Sequence, residues 1–459
     1  MTRSRLALLT LAAALIALPA PVLADRPAPT APSGPIRLGF CGGDDWEPEM
    51  AHQGSRVYVV ITHYPGDTSC DPADGAPNTI DLQVSTDGGR TFSGPAPVWT
   101  APVGGVTYTR QADPTLAVDA SGAVYVAFLG YGVNGGHTDV IVAKSTNEGS
   151  SFGSATKTNA KDCKNCDHEK LIATAGGLYV AYSQAGYHFL SNSADGGQTW
   201  TQANVLSAGN VAFAEGMVSD AAGNVYTAWG DCSTSNCTGS PAAIYRVSRT
   251  AAGTLTTTFS TVGASTQGPD CPFSSCGFSY FGPQDDIAID ATGTLYVAWQ
   301  VGQDNATRKS PPIVNVSRST DGASSWASLG RADDKTASGC AASTCYALFP
   351  TITAGASGTV YLAWMDDRNG NPINHTNGWN VWLRTSTTGG SSWSGPSVRM
   401  SAYDPSQAQS APTGFMFPYG DYFGLEINAC GSPMLTWGEG QDWVGGAATP
   451  GHIEFRTLC

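Results

Sequence analysis

Charge is what this chain has least of. Only 13% of its 459 residues are charged, and 23 Lys and Arg stand against 37 Asp and Glu, for a formal net charge of −14. No basic stripe is available to displace counterions from a phosphate backbone, which excludes nucleic acid as a partner. Helical periodicity is also missing: beyond the N-terminal stretch, no segment repeats its apolar residues with a helical period. Nor does any later segment run apolar for long enough to span a bilayer. The CxxC at Cys163 and Cys166 has no second CxxC or His pair to complete a zinc site. What is abundant instead is Gly, at 55, with 12 Trp and 17 Tyr. Little charge with many Gly and aromatics points to an all-β extracellular protein.

The first residues explain the one long apolar run. Arg3 and Arg5 precede Leu6 to Leu18, and Val22-Leu23-Ala24 ends in small residues at cleavage spacing. Residues 1–24 therefore read as a secretory signal peptide cut after Ala24. Pro19 and Pro21 break the run and make it a poor membrane anchor. Residues 25–36 form a Pro- and Ala-rich flexible lead-in, and 37–459 a single domain. The expected product is a secreted monomer that makes no use of a membrane after cleavage. Twelve cysteines in an exported chain should be paired. Close couples stand at Cys163/Cys166, Cys232/Cys237, Cys271/Cys276 and Cys340/Cys345, leaving Cys41 for Cys70 and Cys430 for Cys459.

One phrase recurs through the domain. It reads SRVYVVI at 55–61, GAVYVAF at 122–128, GLYVAY at 177–182, GNVYTAW at 223–229, GTLYVAW at 293–299, GTVYLAW at 358–364 and PMLTW at 433–437. A strand precedes each copy, and a third and a fourth follow most of them. A four-stranded meander repeated seven times predicts a β-propeller, with six blades if one unit is degenerate. No blade buries its apolar side alone, so neighbours stack around an axis. The last unit lacks a fourth strand, so residues near 36–40 are expected to supply it and clasp the ring.

A second phrase falls between the third and fourth strands. It reads STDGGRTF at 85–92, STNEGSSF at 145–152, SADGGQTW at 193–200, STDGASSW at 319–326 and STTGGSSW at 386–393. The fourth unit has an eroded SRTAAGTL at 248–255. Its glycines suit a tight hairpin, and an Asp side chain accepts bonds from the turn's own N–H groups. Copies with Asn147 or Thr388 in the Asp slot keep an oxygen there, as a turn cap would. The pattern is the Asp box, and with it the chain resembles the sialidase-like (BNR-repeat) propeller superfamily over essentially the whole mature length. The resemblance implies that the boxes lie on the face opposite the active site.

Chemistry is therefore sought where the innermost strands begin. The residues opening them are Glu47, Asp113, Glu169, Glu215, Gln284-Asp285, Phe349 and Asp421-Tyr422. Carboxylates dominate this set in a chain where charge is scarce. A ring of acids raises some of its own pKa values, which suits a general acid or a bound Ca²⁺. Arg110 and His168 stand beside the ring, and Arg368 lies in a loop expected to overhang it. Trp379 and Trp443 fall in equivalent loops, as sugar platforms or as core. Sialidases of the resembled family use three arginines on the substrate carboxylate, a Tyr nucleophile paired with a Glu, and an Asp acid/base. By position, Tyr422, Glu215 and Asp113 are the catalytic candidates here. Arg110, Arg368, Glu47, Glu169, His168 and Asp421 are the substrate-binding ones. Asp285 and Asp286 are a candidate structural Ca²⁺ pair; no other cofactor is expected. The family's Phe/Tyr-Arg-Ile-Pro signature is absent, the nearest string being PIRLG at 35–39. Three readings follow: a glycoside hydrolase on extracellular glycans, a non-catalytic glycan- or protein-binding propeller, and a polysaccharide lyase.

Overall fold

A computed structural model describes residues 34–459 apart from 66–77, 133–137, 159–162, 164–165, 185, 202–203, 209, 233–240, 266–283, 302–311, 335–344, 370–378, 403–421 and 440–450; of 204–205, 207–208 and 210–215 it describes the backbone alone. These residues form seven four-stranded antiparallel sheets. The signal segment and Trp443 lie outside them.

A short strand, β1 (Ile36–Leu38), comes first. Blade one is β2 (Asp44–Gln53), β3 (Arg56–Tyr64), β4 (Thr79–Ser85) and β5 (Ala96–Pro97). Blade two is β6 (Tyr108–Val118), β7 (Val124–Gly132), β8 (Thr138–Ser145) and β9 (Ser154–Lys157). Blade three is β10 (Cys166–Thr174), β11 (Gly177–Gln184), β12 (Tyr187–Ser193) and β13 (Asn204–Ala208). Blade four is β14 (Asn210–Ser219), β15 (Val225–Cys232), β16 (Ala243–Thr250) and β17 (Thr257–Ser265). Blade five is β18 (Asp285–Ile289), β19 (Leu295–Val301), β20 (Ile313–Ser319) and β21 (Ala327–Arg331). Blade six is β22 (Ala347–Ala354), β23 (Val360–Asp366), β24 (Asn380–Ser386) and β25 (Ser394–Arg399). Blade seven has β26 (Phe423–Ile427), β27 (Pro433–Glu439) and β28 (His452–Thr457), and β1 is its fourth strand.

The clasp expected near 36–40 is thus present, with Ile36, Arg37 and Leu38 opposite Phe455, Glu454 and Ile453. Each recurring phrase is a second strand. It is apolar without alternation because both of its faces are covered. Tyr58 and Val60 pack on blade two, against Leu116, Val124 and Val126. Val57, Val59 and Ile61 pack the other way, on Leu38, Met434, Ile453 and Phe455. Cys163–Cys166 and Cys430–Cys459 are disulfides as expected. Cys41, Cys232 and Cys345 are also disulfide-bonded; Cys70, Cys237, Cys271, Cys276 and Cys340 lie outside the described residues.

The boxes are turn clasps. Asp195 accepts from the N–H groups of Gln198 and Thr199 at 3.0 and 2.9 Å, and from Thr199 Oγ1 at 2.6 Å. Ser193 Oγ donates to Asp195 and accepts from Gly197 N–H. Asn147 and Thr388 accept the corresponding N–H of Ser151 and Ser392. Gly196 and Gly197 both sit at positive φ, 70° and 87°. The closing aromatic then ties two blades, as Trp200 Nε1 donates to Thr156 Oγ1 of blade two at 3.0 Å. Asp195→Ala should lower the melting temperature by about 2 °C and Asp195→Asn by less. Equal losses in the two variants would contradict the clasp.

One buried group makes stability depend on pH. His188 on β12 is fully buried, stacks on Trp229 of blade four at 5.3 Å, and has no hydrogen-bond partner on either ring nitrogen among the described residues. Burial drives its pKa from 6.5 down to about 3. Such an imidazole takes up a proton on unfolding, so its contribution is complete above about 6.5 and is lost as pH falls toward about 3. Between pH 7 and 5 the protein should lose about 2 kcal/mol more than its His188→Phe variant in urea denaturation. Parallel pH curves for the two would contradict this.

Candidate functional site at the upper channel mouth

Calling the end where the innermost strands begin the upper face, the boxes lie at the lower one. At the upper face the innermost strands break register. Bulges fall between Trp46 and Glu49 on β2, Ala112 and Thr115 on β6, Asp167 and Lys170 on β10, and Leu348 and Thr351 on β22. In each bulge a residue other than Gly has positive φ: Glu47 at 57°, Asp113 at 57°, His168 at 50° and Phe349 at 50°. That backbone costs about 1–2 kcal/mol per residue, and a cost repeated in four blades is a built feature. It turns these side chains away from the regular alternation of the strand, and bulges of this kind re-aim side chains beside functional sites. In blades one, two and six the bulge residue is the one that opens the strand in the sequence alignment, and in blade three it is His168, not Glu169.

Two blades meet through their acids. The Glu47 carboxylate is buried, 3% exposed, and accepts from Thr62 Oγ1 at 2.6 Å, Tyr64 OH at 3.3 Å and the Asp113 N–H at 3.0 Å. The Glu47 and Asp113 carboxyls are also hydrogen-bonded to each other. Such a bond needs one proton, so the pair titrates as a unit. Burial raises the Glu47 pKa, and the bonds from Thr62 and Asp113 oppose it. Beside them Arg110 stacks its guanidinium on the Tyr131 ring at 4.5 Å. The Tyr131 pKa is raised by burial and by the charges of Asp113, Asp167, Glu169 and Glu47. Glu169 is 1% exposed, and no other group among the described residues donates to its carboxyl. Burial, with the nearby Asp167, holds its pKa well above the usual carboxylate range.

Across the axis, the His168 ring lies 5.4 Å from that of Tyr422, which directly precedes β26. Lys170 Nζ sits 4.8 Å over the same Tyr422 ring and 3.4 Å from Glu49 of blade one. Below this level the channel widens into a cavity of about 450 Å³, lined by Glu49, Lys170, Asp286, Thr351, Tyr422 and Glu426 among others. Asp286 accepts from Thr351 Oγ1 at 2.8 Å and Ile352 N–H at 2.9 Å, and burial raises its pKa to about 7. Enclosure, then the charges of Glu49 and Asp286, push Glu426 up to about 8.

Several sequence-derived candidates fall elsewhere. Arg368 does not overhang the mouth. It is buried at the outer rim between blades five and six, donating to Asp366 and Asp334 and stacking on Trp382 at 4.0 Å. Two buried carboxylates and Ser397 hold the guanidinium there. Asp285 and Asp286 do not converge on one ion. As strand neighbours they face opposite sides: Asp286 bonds to blade six, and Asp285 acts on Tyr245 of blade four. Trp379 is a core residue, 0% exposed. Glu215 lies on β14 by its backbone, its side chain is not among the described ones, and Asp421 lies outside the described residues. Tyr131, Glu49 and Lys170 were not singled out by sequence. The available signal was the pairing of Glu49 and Lys170 with the fourth residue of the VYVV and LYVA phrases, Val60 and Ala181.

No family model and no curated protein matches the chain. Solved structures do. An ulvan lyase, a polysaccharide lyase, superposes with a TM-score of 0.50 at 10% identity, covering 92% of this chain and 96% of its own. In fold the chain is a seven-bladed β-propeller. A protein of unknown function from Dyadobacter fermentans gives 0.48 at 11% identity, over 94% of this chain and 98% of its own. The intramolecular trans-sialidase of Ruminococcus gnavus gives 0.42 at 13%, over 92% and 97%. At these identities the likeness of this propeller is one of fold.

The two arginines separate cleanly in a denaturation experiment. Arg368→Ala strands two buried carboxylates and should cost about 3–5 kcal/mol. Arg110→Ala, at an exposed position, should cost less than about 0.5 kcal/mol. Similar urea midpoints for the two variants would contradict these placements.

Proposed function

We propose that the protein is a secreted carbohydrate-active enzyme, a glycoside hydrolase that cleaves extracellular glycans at the upper channel mouth. The observation that carries this reading is the Glu47–Asp113 pair where two blades meet, a buried Glu47 carboxyl hydrogen-bonded to a partly exposed Asp113. A pair that shares a proton keeps one member acidic near neutral pH, and that member donates to the leaving glycosidic oxygen. Two carboxyls in contact leave no room for a water between them, so they act as one proton-sharing acid rather than as an opposed acid and base. The attack on the anomeric carbon then falls to another group. Tyr422, beside His168 and Lys170, is the candidate nucleophile, with Glu215 as its sequence-derived partner. The disulfides are compatible with an oxidising compartment.

A lyase reading is favoured by one specific arrangement, the His168–Tyr422 contact with Lys170 over the phenol ring. A Tyr or His base abstracts a proton beside a uronate carboxylate, and a nearby cation stabilises the resulting negative charge.

The test is turnover on aryl glycosides, a fluorogenic sialoside and uronate polymers, by wild type and by Glu47→Gln. Released reducing sugar, reduced about 10²-fold or more in kcat by the substitution, is expected. Absorbance from a new double bond would replace hydrolysis by elimination. No turnover on any substrate, or turnover that Glu47→Gln leaves unchanged, would overturn the reading.

A further inference from the structure

The inner strands put one residue of every blade at a single height of the channel. It is the residue paired with the fourth position of the recurring phrase: Glu49, Thr115, Lys170, Gly216, Asp286, Thr351 and Gly424 for blades one to seven. All but Gly424 line the cavity. Lys170 is the only basic member of this layer, and it is 8% exposed. Blade two, which stands between, offers only the short Thr115 at that height, and Lys170 Nζ reaches Glu49 Oε2 of blade one at 3.4 Å. Asp286, the layer's other acid, is turned to blade six, where Thr351 Oγ1 and Ile352 N–H donate to it at 2.8 and 2.9 Å. Its second oxygen lies against Gly216, where a Cβ would collide with it.

Two residues nearer the mouth than Gly424 stands Tyr422, 4% exposed. Two side chains from one strand of blade three flank its ring. The His168 ring is 5.4 Å away, and Lys170 Nζ is 4.8 Å from the ring centre. A buried ammonium beside a phenol favours the phenolate, because little water screens the pair. The Glu49 carboxylate acts on this arrangement in two ways. It fixes where Nζ sits, and its negative charge offsets part of the ammonium's effect. The remaining titratable residues on the cavity have other attachments. Asp285 acts on Tyr245, Asp286 is bonded to blade six, and Glu426 Oε2 is 3.9 Å from His52 Nδ1. Asp286 and Glu169 also feel the Lys170 charge.

We propose that Glu49 and Lys170 are positioning residues for Tyr422: Glu49 fixes the Lys170 ammonium over the phenol ring, and the ammonium favours the phenolate that attacks the substrate or takes its proton. The phenol's own proton passes to water. This rests on the reading of Tyr422 as the reacting group and names what governs its ionisation.

The experiment is carbon NMR of the protein labelled at tyrosine Cζ, with the Tyr422 signal assigned by its loss in Tyr422→Phe. Titration is followed in wild type, Lys170→Met, Lys170→Arg and Glu49→Gln, beside pH profiles of kcat/KM on whichever probe glycan is turned over. Lys170→Met removes the cation and should move the phenol titration up by about one pH unit or more. Glu49→Gln keeps an oxygen acceptor for Nζ and removes the opposing charge, so the titration should move down. Lys170→Arg keeps the cation and should stay close to wild type. Met and Gln are close in volume to Lys and Glu, so packing alone would not move the titration in these opposite senses. Should Lys170→Met fail to fold, the downward move in Glu49→Gln decides alone. Moves of the same sign in Lys170→Met and Glu49→Gln, or none in either, overturn the proposal. So does a wild-type phenol that stays protonated up to alkaline unfolding. The limb of kcat/KM that reports the ionised base should follow the phenol in each variant. A limb that stays fixed while the phenol moves leaves this proposal standing and removes Tyr422 from the chemistry. A Glu47-dependent enzyme whose Tyr422 titration ignores both substitutions keeps the enzymatic reading and loses this proposal.

Discussion

Each blade here has two apolar faces, and only a closed ring covers both. Val57, Val59 and Ile61 on the first blade would face water without the last blade against them. Covering one such side chain is worth about 1.5–3 kcal/mol, so an open ring would forfeit several residues' worth at each exposed face. The pairing of β1 with β28 is what makes closure topological as well as hydrophobic. It joins the chain's first described strand to its last, and no blade then presents an uncovered face. Because the ring is closed, seven inner strands converge on one axis, and residues far apart in sequence become neighbours there. Lys170 reaching Glu49, and His168 reaching Tyr422, are consequences of that convergence.

The same geometry explains why the two ends of the barrel differ. At the lower end, tight hairpins are closed by Asp195 and its counterparts, whose oxygens are occupied by their own turns. A carboxylate so occupied is held ionised and has no capacity left for a substrate. At the upper end four strands begin with strained bulges, and two of these bring Glu47 to the Asp113 backbone N–H of the next blade. There Glu47 and Glu169 are buried, Asp113 and Asp167 are partly exposed, and all four bear on Tyr131, over which Arg110 stacks. Perturbed titration in a cluster of this kind marks a functional centre more often than a structural one.

The blade count, the clasp, the boxes and the acidity of the mouth were legible in the sequence, because each is a repeated local pattern. The clasp followed from a missing fourth strand, and Glu47 and Asp113 from their place at strand openings. What failed was everything set by register or by loop direction. In blade three the extra residues of the bulge put His168, not Glu169, at the equivalent position. Arg368 was placed at the mouth because its loop belongs to the upper end, but buried Asp366 and Asp334 pull it to the rim. Asp285 and Asp286 looked like paired ligands until strand alternation set them on opposite faces. Tyr131 escaped notice because it stands at the end of a second strand, where the repeated phrase gives it no distinction.

The central claim is that carboxyls from separate blades form one proton-sharing centre at the upper mouth. Carbon NMR of side-chain-labelled Asp and Glu, followed across pH with and without a saturating glycan oligosaccharide, tests it most directly. The account predicts that the Glu47 and Asp113 carboxyl carbons titrate together in two separated steps, the second above the ordinary carboxylate range. It also predicts that the bound glycan shifts both steps. Two independent titrations near pH 4, unaffected by the glycan, would contradict it.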